Sequence, residues 1–171
     1  NRSDEINTCI GCNQACLDHT FSMKLTSCLV NPRACHETSL VYKKVKKSKR
    51  IAVVGAGPAG LSFSITAAQR GHKVTLYEEK FQIGGQLNFA KLIPGKEEFI
   101  GLIDFYENEI ARLDIQLKTG FKAKKSDLLG FDHIVLATGV SPRDTDIPGQ
   151  SSAKNIIGYQ SRRTPRRPLP R

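Results

Sequence analysis

The rhythm of apolar and polar residues changes near position 50 of this 171-residue chain. Ile51-Ala52-Val53-Val54 is a short apolar run bounded by charge and glycine, as a strand buried on both faces requires. Leu61 to Arg70 predicts a helix that lays Leu61, Phe63, Ile65, Ala67 and Ala68 on a sheet, with Gly71 to stop it. Lys73 to Tyr77 predicts a second strand. Between Glu97 and Leu113 the residues Phe99, Leu102, Ile103, Tyr106, Ile110 and Leu113 fall on one helical stripe. Ile115–Lys118 and Phe121–Lys124 read as short strands, and His133–Ala137 as another buried one. Strands alternating with helices predict an α/β unit with a parallel sheet. Internal repeats are absent.

Upstream of this pattern, apolar residues lose their period and all five cysteines appear. Four zones follow: a cysteine-rich segment at 1–41, a basic linker at 42–50, the α/β unit at 51–160 and a tail at 161–171. The tail holds five arginines, three prolines and no core position. Its composition predicts either disorder or sequence that is not native to the protein. No apolar run approaches the roughly 20 residues that span a bilayer, and the first residues contain neither an initiator Met nor an apolar signal core. The expectation is a cytoplasmic protein whose natural start lies upstream.

Charge sharpens the zoning. The formal net charge is +10, but six basic residues lie between Lys43 and Arg50 and five more follow Ser161, with no acid in either stretch. The remainder is close to neutral. The excess is therefore expected on a linker and a tail rather than on a folded basic surface, and no aromatic platform is interleaved with it. Nucleic-acid binding and membrane association are not expected.

The cysteines have a ligand's spacing. Cys9-Ile10-Gly11-Cys12-Asn13-Gln14-Ala15-Cys16 is followed by Cys28 after eleven residues. Thiolates are soft ligands for iron–sulfur clusters or zinc, and four of them complete either site. Structural zinc more often shows two CxxC pairs, and the second is missing here. The spacing favours a cluster on Cys9, Cys12, Cys16 and Cys28 and leaves zinc and disulfides open. Cys35 is left over and is expected as a buried small residue or a free thiol. His19 is expected as an ordinary polar residue near the site.

Gly55-Ala56-Gly57-Pro58-Ala59-Gly60 follows a predicted strand and opens a predicted helix, the context in which GxGxxG has meaning. Gly55 permits a tight turn, Gly57 lets the backbone approach a pyrophosphate, and Gly60 lets helix and strand pack closely. The helix N-terminus offers unpaired N–H groups to the phosphates, with Ala59 in its first turn. Glu78, eighteen residues beyond Gly60, ends the second strand and can accept both ribose hydroxyls of an adenosine. It would repel a 2′-phosphate, so the site should take FAD or NAD. Glu79 is its neighbour and points the other way along a strand. Ile83-Gly84-Gly85-Gln86 and Ala137-Thr138-Gly139 favour FAD, since a simple NAD unit demands neither. The fold class expected is α/β, a Rossmann-like FAD-binding unit with a parallel sheet, preceded by a small cysteine-rich iron–sulfur segment.

Together these motifs resemble the NADPH-dependent, bacterial-type 2,4-dienoyl-CoA reductases. The resemblance runs through the cysteine segment, Ser27 to Glu37, Gly55 to Gly60, Ile83 to Gln86, Ile93 to Phe99 and Ala137 to Arg143. It implies a larger parent, with an N-terminal barrel that binds FMN and dienoyl-CoA, a 4Fe–4S cluster, and FAD and NADPH domains. Electrons would run from NADPH through FAD, the cluster and FMN to the substrate of fatty acid β-oxidation. The resemblance also implies Cys9, Cys12, Cys16 and Cys28 as cluster ligands, and Ala59 and Glu78 at the ADP part of FAD. Gln86 and Lys96 would line the same cofactor, and Ala123, on the edge strand before Asp127, would read the adenine through its backbone. The barrel, the NADPH domain and every catalytic residue would lie outside this chain, which alone should not reduce a dienoyl-CoA. Two other expectations stand beside it: a trimethylamine-dehydrogenase-like or enoate reductase enzyme with the same cluster, and a non-catalytic electron-transfer or nucleotide-binding module.

Overall fold

A computed structural model describes residue 2, residues 5–141 and residue 148. The expected tail at 161–171, the end of the α/β unit at 160 and the last residues of the Ala137–Arg143 motif lie outside the described residues. Residues Asn1–Gly139 form one compact unit, so the cysteine segment and the α/β elements belong to the same body.

Among the described residues the sheet has four strands: β1 (Arg50–Val54), β2 (Lys73–Tyr77), β3 (Gln116–Lys118) and β4 (His133–Leu136). Their order is β3-β2-β1-β4, and all neighbours are parallel, with Ile51 beside Val74 and His133, and Thr75 beside Gln116. A short helix α1 (Leu17–Phe21) lies in the cysteine segment. Helix α2 (Pro58–Gln69) joins β1 to β2, while α3 (Leu87–Ala90) and α4 (Glu98–Arg112) lie between β2 and β3.

The sequence dictates these limits. Pro58 fills the first position of α2, where its missing N–H costs nothing and its fixed φ suits the helix, so α2 begins three residues before the expected Leu61. It ends at Gly71 (φ +96°), whose N–H donates to Ala68 O at 2.8 Å while His72 N–H reaches Ala67 O. Ile51, Val53, Val74 and Leu76 meet Leu61 and Ile65 of α2 and Leu102, Ile103, Tyr106 and Ile110 of α4 in one core. Full burial of residues such as Leu61 and Leu76 stabilises by about 1.5–3 kcal/mol each. Burial raises the Tyr106 phenol above its usual range. Glu109, also buried on α4, is held by a two-pronged contact from Arg112 at 2.7 and 2.6 Å.

Four expectations change. Phe121–Lys124 forms no strand, because Gly120 (φ +64°) turns the chain and Lys124 N–H is captured by the Asp127 carboxylate at 2.7 Å. Ala123 accordingly sits in an irregular stretch, not on an edge strand. The strand at His133 pairs as expected but is not buried: among the described residues it is one of the sheet's two outer strands, with Ile134 49% and Leu136 72% exposed. Of the two expectations for Cys35 the free thiol holds and the buried residue does not: it is exposed, at φ +63° in a turn where its N–H meets the Glu37 carboxylate.

The fourth concerns the basic linker, which is fastened to the sheet. Val45 N–H donates to Arg70 O at 2.9 Å, Lys73 N–H to Lys49 O at 2.9 Å and Lys49 N–H to His72 Nδ1 at 3.3 Å. Its lysines form part of a folded surface after all.

Candidate functional site

The site is assembled at the C-terminal ends of β1 and β2, where ligands of open parallel sheets bind. The chain leaves β1 at Gly55 (φ +104°), whose N–H donates to Tyr77 O at 2.7 Å. A Cβ at Gly55 would stand 2.3 Å from Ala137 O, and one at Gly60 1.9 Å from Gly55 O. At Gly57 a Cβ would meet nothing within 4 Å. The first and third glycines thus serve backbone packing, and the second leaves an open approach at the start of α2.

Glu78 locks this turn. The residue is 8% exposed. Oε2 accepts the Ala56 N–H at 2.7 Å and Oε1 the Lys80 N–H at 3.0 Å. Each oxygen keeps a lone pair for a further donor. Glu79 points elsewhere, exposed and 3.6 Å from Lys122 Nζ.

Two later segments converge on the same turn. Gly84 N–H donates to Ala56 O at 2.7 Å, and a Cβ on Gly85 (φ +52°) would lie 3.0 Å from Gly57 Cα. Asn88 fastens that loop from behind, its side-chain amide donating to Ile83 O at 2.7 Å. Ala137 N–H continues the sheet by donating to Val54 O at 2.8 Å, which carries Ala137-Thr138-Gly139 past Gly55. The sequence did not single out Ala56, Lys80 or Asn88. Only Asn88 had a visible signal, a turn-forming residue just after Gly84-Gly85.

The other expected residues fall around this centre. Ala59 is exposed in the first turn of α2, and Gln86 is exposed at the start of α3, where its carbonyl accepts from Phe89 and Ala90. Ala123 is half-buried beyond Phe121, whose N–H donates to Glu78 O at 2.9 Å and so draws that stretch to the end of β2. Lys96 lies half-buried in the turn before α4, its N–H on Ile93 O, and takes no part in the bonds that tie the glycine turn.

The cysteine segment folds as a loop closed by two long-range bonds: Asn7 Nδ2 donates to Val30 O at 2.8 Å, and Ser27 N–H to Ala15 O at 2.8 Å. The second sets the residue before Cys28 beside the residue before Cys16. Gly11 N–H donates to Cys9 Sγ at 3.3 Å, and Cys12 packs against the core. All four cysteines are free thiols. His19 Nδ1 is engaged with Leu25 O at 3.0 Å. Among the described residues, no three Cys, His, Asp or Glu side chains are gathered as a single metal ion would need. Zinc would hold its thiolates within about 4 Å of one another. A four-iron cube takes one thiolate at each iron corner and keeps them farther apart. The four thiols, one already receiving an N–H, are soft donors of the kind that either group takes. The segment is anchored to the α/β unit by Ile10, 6% exposed in the common core, and by Thr8, whose Oγ1 lies 2.9 Å from where a Cβ on Gly101 of α4 would stand.

Known proteins are similar to most of this chain. Over 162 residues the chain is 42% identical to the metal reductase of Desulforamulus reducens, covering 91% of this chain and 24% of that protein. It is 38% identical to the NADH oxidase of Thermoanaerobacter brockii over the same share of this chain and 25% of the relative. Among solved structures, a 2-naphthoyl-CoA reductase complex superposes with a TM-score of 0.84 at 32% identity, over 92% of this chain and 24% of its own. Histamine dehydrogenase from Rhizobium sp. 4-9 does so at 0.74 and 29%, over 87% of this chain and 23% of its own. The chain therefore spans about a quarter of the length of these relatives. The profile of the pyridine nucleotide-disulphide oxidoreductases matches residues 49–168, from the first residue before β1 onward, and this chain belongs to that family.

Proposed function

We propose that the chain is the cluster-bearing and FAD-binding part of an NADPH-dependent 2,4-dienoyl-CoA reductase. One observation carries the reading. Two later glycine-containing segments converge on the Glu78-locked glycine turn, while the cysteine loop is seated through Ile10 and Thr8 on the same core. A dinucleotide unit alone would not need the second feature.

In this reading the open backbone at Gly57 and the first N–H groups of α2 face the pyrophosphate, and the free lone pairs of Glu78 accept the ribose hydroxyls. Ala123 contributes backbone groups at the adenine, and Gln86 and Lys96 line the remainder. Cys9, Cys12, Cys16 and Cys28 hold a 4Fe–4S cluster, with Gly11 N–H supporting the Cys9 sulfur. Bound FAD and cluster would supply two-electron and one-electron redox chemistry respectively. The FMN, NADPH and dienoyl-CoA sites belong to the rest of the parent, consistent with relatives about four times as long. The substrate class draws support from relatives named for conjugated carboxyl compounds, a cinnamate reductase and a 2-naphthoyl-CoA reductase. The likeness to histamine dehydrogenase favours an amine dehydrogenase as the second reading.

Anaerobic purification followed by iron and sulfide analysis, an absorption spectrum and an FAD titration tests the cofactors. The expected result is about four iron per chain, broad visible absorbance bleached by dithionite, and stoichiometric FAD. Zinc, or no metal, both in this chain and in a version extended upstream would overturn the cluster assignment. NADPH-dependent reduction of a dienoyl thioester by this chain alone would refute the placing of the catalytic residues elsewhere. An extended enzyme that oxidises amines and leaves dienoyl thioesters untouched would favour the second reading.

A further inference from the structure

We infer that the stretch from Lys43 to Arg50 is a docking ridge for an acidic protein met transiently. The residues concerned are Lys43, Lys44, Lys46, Lys47, Lys49 and Arg50, with no acid among them. A charge run on a loose linker would be only a solvated tether, but this one is held. Its bonds to Arg70, His72 and Lys73 fasten it along the N-terminal ends of β1 and β2. Arg70 Nε adds a bond to Lys43 O at 3.4 Å, and Lys44 Cδ and Val45 Cγ2 lie 3.8 and 4.0 Å from where a Cβ on Gly71 would stand. Lys43, Lys44, Lys46 and Lys47 are exposed, as are Arg70 and Lys73 beside them. One acid at this end, Asp132, accepts Arg50 N–H at 2.7 Å, and His133 Nε2 lies 2.8 Å from Lys49 Nζ. The ridge is at the opposite end of the strands from the Gly55 turn, so it stands independently of the cofactor reading.

The chemistry selects the partner. The charge is carried mainly by lysine, which is depleted at the cores of permanent interfaces, so the ridge suits an encounter complex that is steered rather than buried. Stacking aromatics for single-stranded nucleic acid are absent from the stretch, and no helix or paired ribbon presents these lysines to a groove. A membrane surface would call for an amphipathic helix, and residues 41–49 are not helical.

The test uses the full chain and fluorescently labelled poly-L-glutamate, followed by anisotropy. Binding should weaken as salt is raised. It should fall by at least about tenfold in the variant Lys43→Glu, Lys44→Glu, Lys46→Glu, Lys47→Glu, as steering by surface charge requires. A variant with Arg162, Arg163, Arg166 and Arg167 changed to Gln should keep most of it. If charge reversal unfolds the chain, Gln at the four lysines reads the same loss. Absence of binding, binding that survives reversal, or binding lost with the tail arginines would overturn the proposal. So would tighter binding of duplex DNA or of anionic vesicles than of polyglutamate.

Discussion

Three glycines spaced as GxGxxG look equivalent in sequence, and the structure separates them. Gly60 has another residue's carbonyl where its Cβ would go, whereas Gly57 faces open space. Gly60→Ala should therefore cost about 3 kcal/mol or more, the upper end for forced overpacking, and lower the melting temperature by several degrees. Gly57→Ala should stay within about 1 kcal/mol of the parent, the scale of a helix-cap change, yet bind FAD at least about tenfold more weakly because the methyl occupies the approach to the pyrophosphate. Paired calorimetry and flavin titration check both. Equal melting losses would show that Gly57 is structural too. Glu78 allows a second test. Both of its oxygens are engaged by backbone N–H groups, at 2.7 and 3.0 Å. A glutamine has one oxygen for two such donors, so Glu78→Gln sets an amide N–H₂ against an N–H and should cost about 1–3 kcal/mol. Thermal unfolding without flavin isolates that loss from any effect on ribose binding, and an unchanged midpoint would show that the lock is dispensable.

At the scale of elements, what was legible depended on how local its cause is. The strand Ile51–Val54, the turn at Gly55 and the helix stop at Gly71 follow from short-range steric rules, and the structure has them in place. The stripe on α4 followed from its period, and Leu102, Ile103, Tyr106 and Ile110 are its buried residues. The stretch Phe121–Lys124 read as a strand from its composition, but its N–H groups are claimed by Glu78 O and by the Asp127 carboxylate, partners that no local pattern reveals. Ile10 gave no periodic signal, because a single apolar residue between two cysteines has no period, yet it anchors its segment. The fastening of Lys43–Arg50 was hidden for the same reason, as its hydrogen-bond partners lie more than 20 residues away. Asp132 ties this end of the sheet to β1, and the bond from Arg50 N–H, aided by the Arg50 and Lys49 charges, holds its carboxyl below the usual range. A depressed carboxylate stabilises the fold above its unfolded value near 3.8 and loses that contribution as pH falls through the lower folded value. Melting curves from neutral pH down to about 3 should show the parent losing stability more steeply than Asp132→Asn in that acid window. Parallel curves would remove Asp132 from the account.

Over the described residues, one face of the sheet is covered by helices and β4 is left open. The face carrying Ile51, Val53, Val74 and Leu76 is covered by α2 and α4, and β3 closes one edge beside β2. On the opposite face, in register with Ala52 and Val54, the outer strand β4 exposes Ile134 and Leu136, whereas an outer strand facing water is usually blunted by charge, proline or a bulge. Exposed apolar edges promote strand addition between chains. The double variant Ile134→Thr, Leu136→Lys should therefore stay monomeric at concentrations where the parent chain self-associates. Its melting temperature should lie within a few degrees of the parent's, because removing exposed apolar atoms changes stability by only about 0.5 kcal/mol. The opposite should hold in a polypeptide extended to the length of the relatives. If the added length covers β4, the same lysine would be forced into a buried site and would destabilise by several kcal/mol. Light scattering on the short chain and thermal unfolding of both lengths separate the cases. A variant equally tolerated in both would mean that β4 is an exposed edge in the parent as well, and that the sheet ends there.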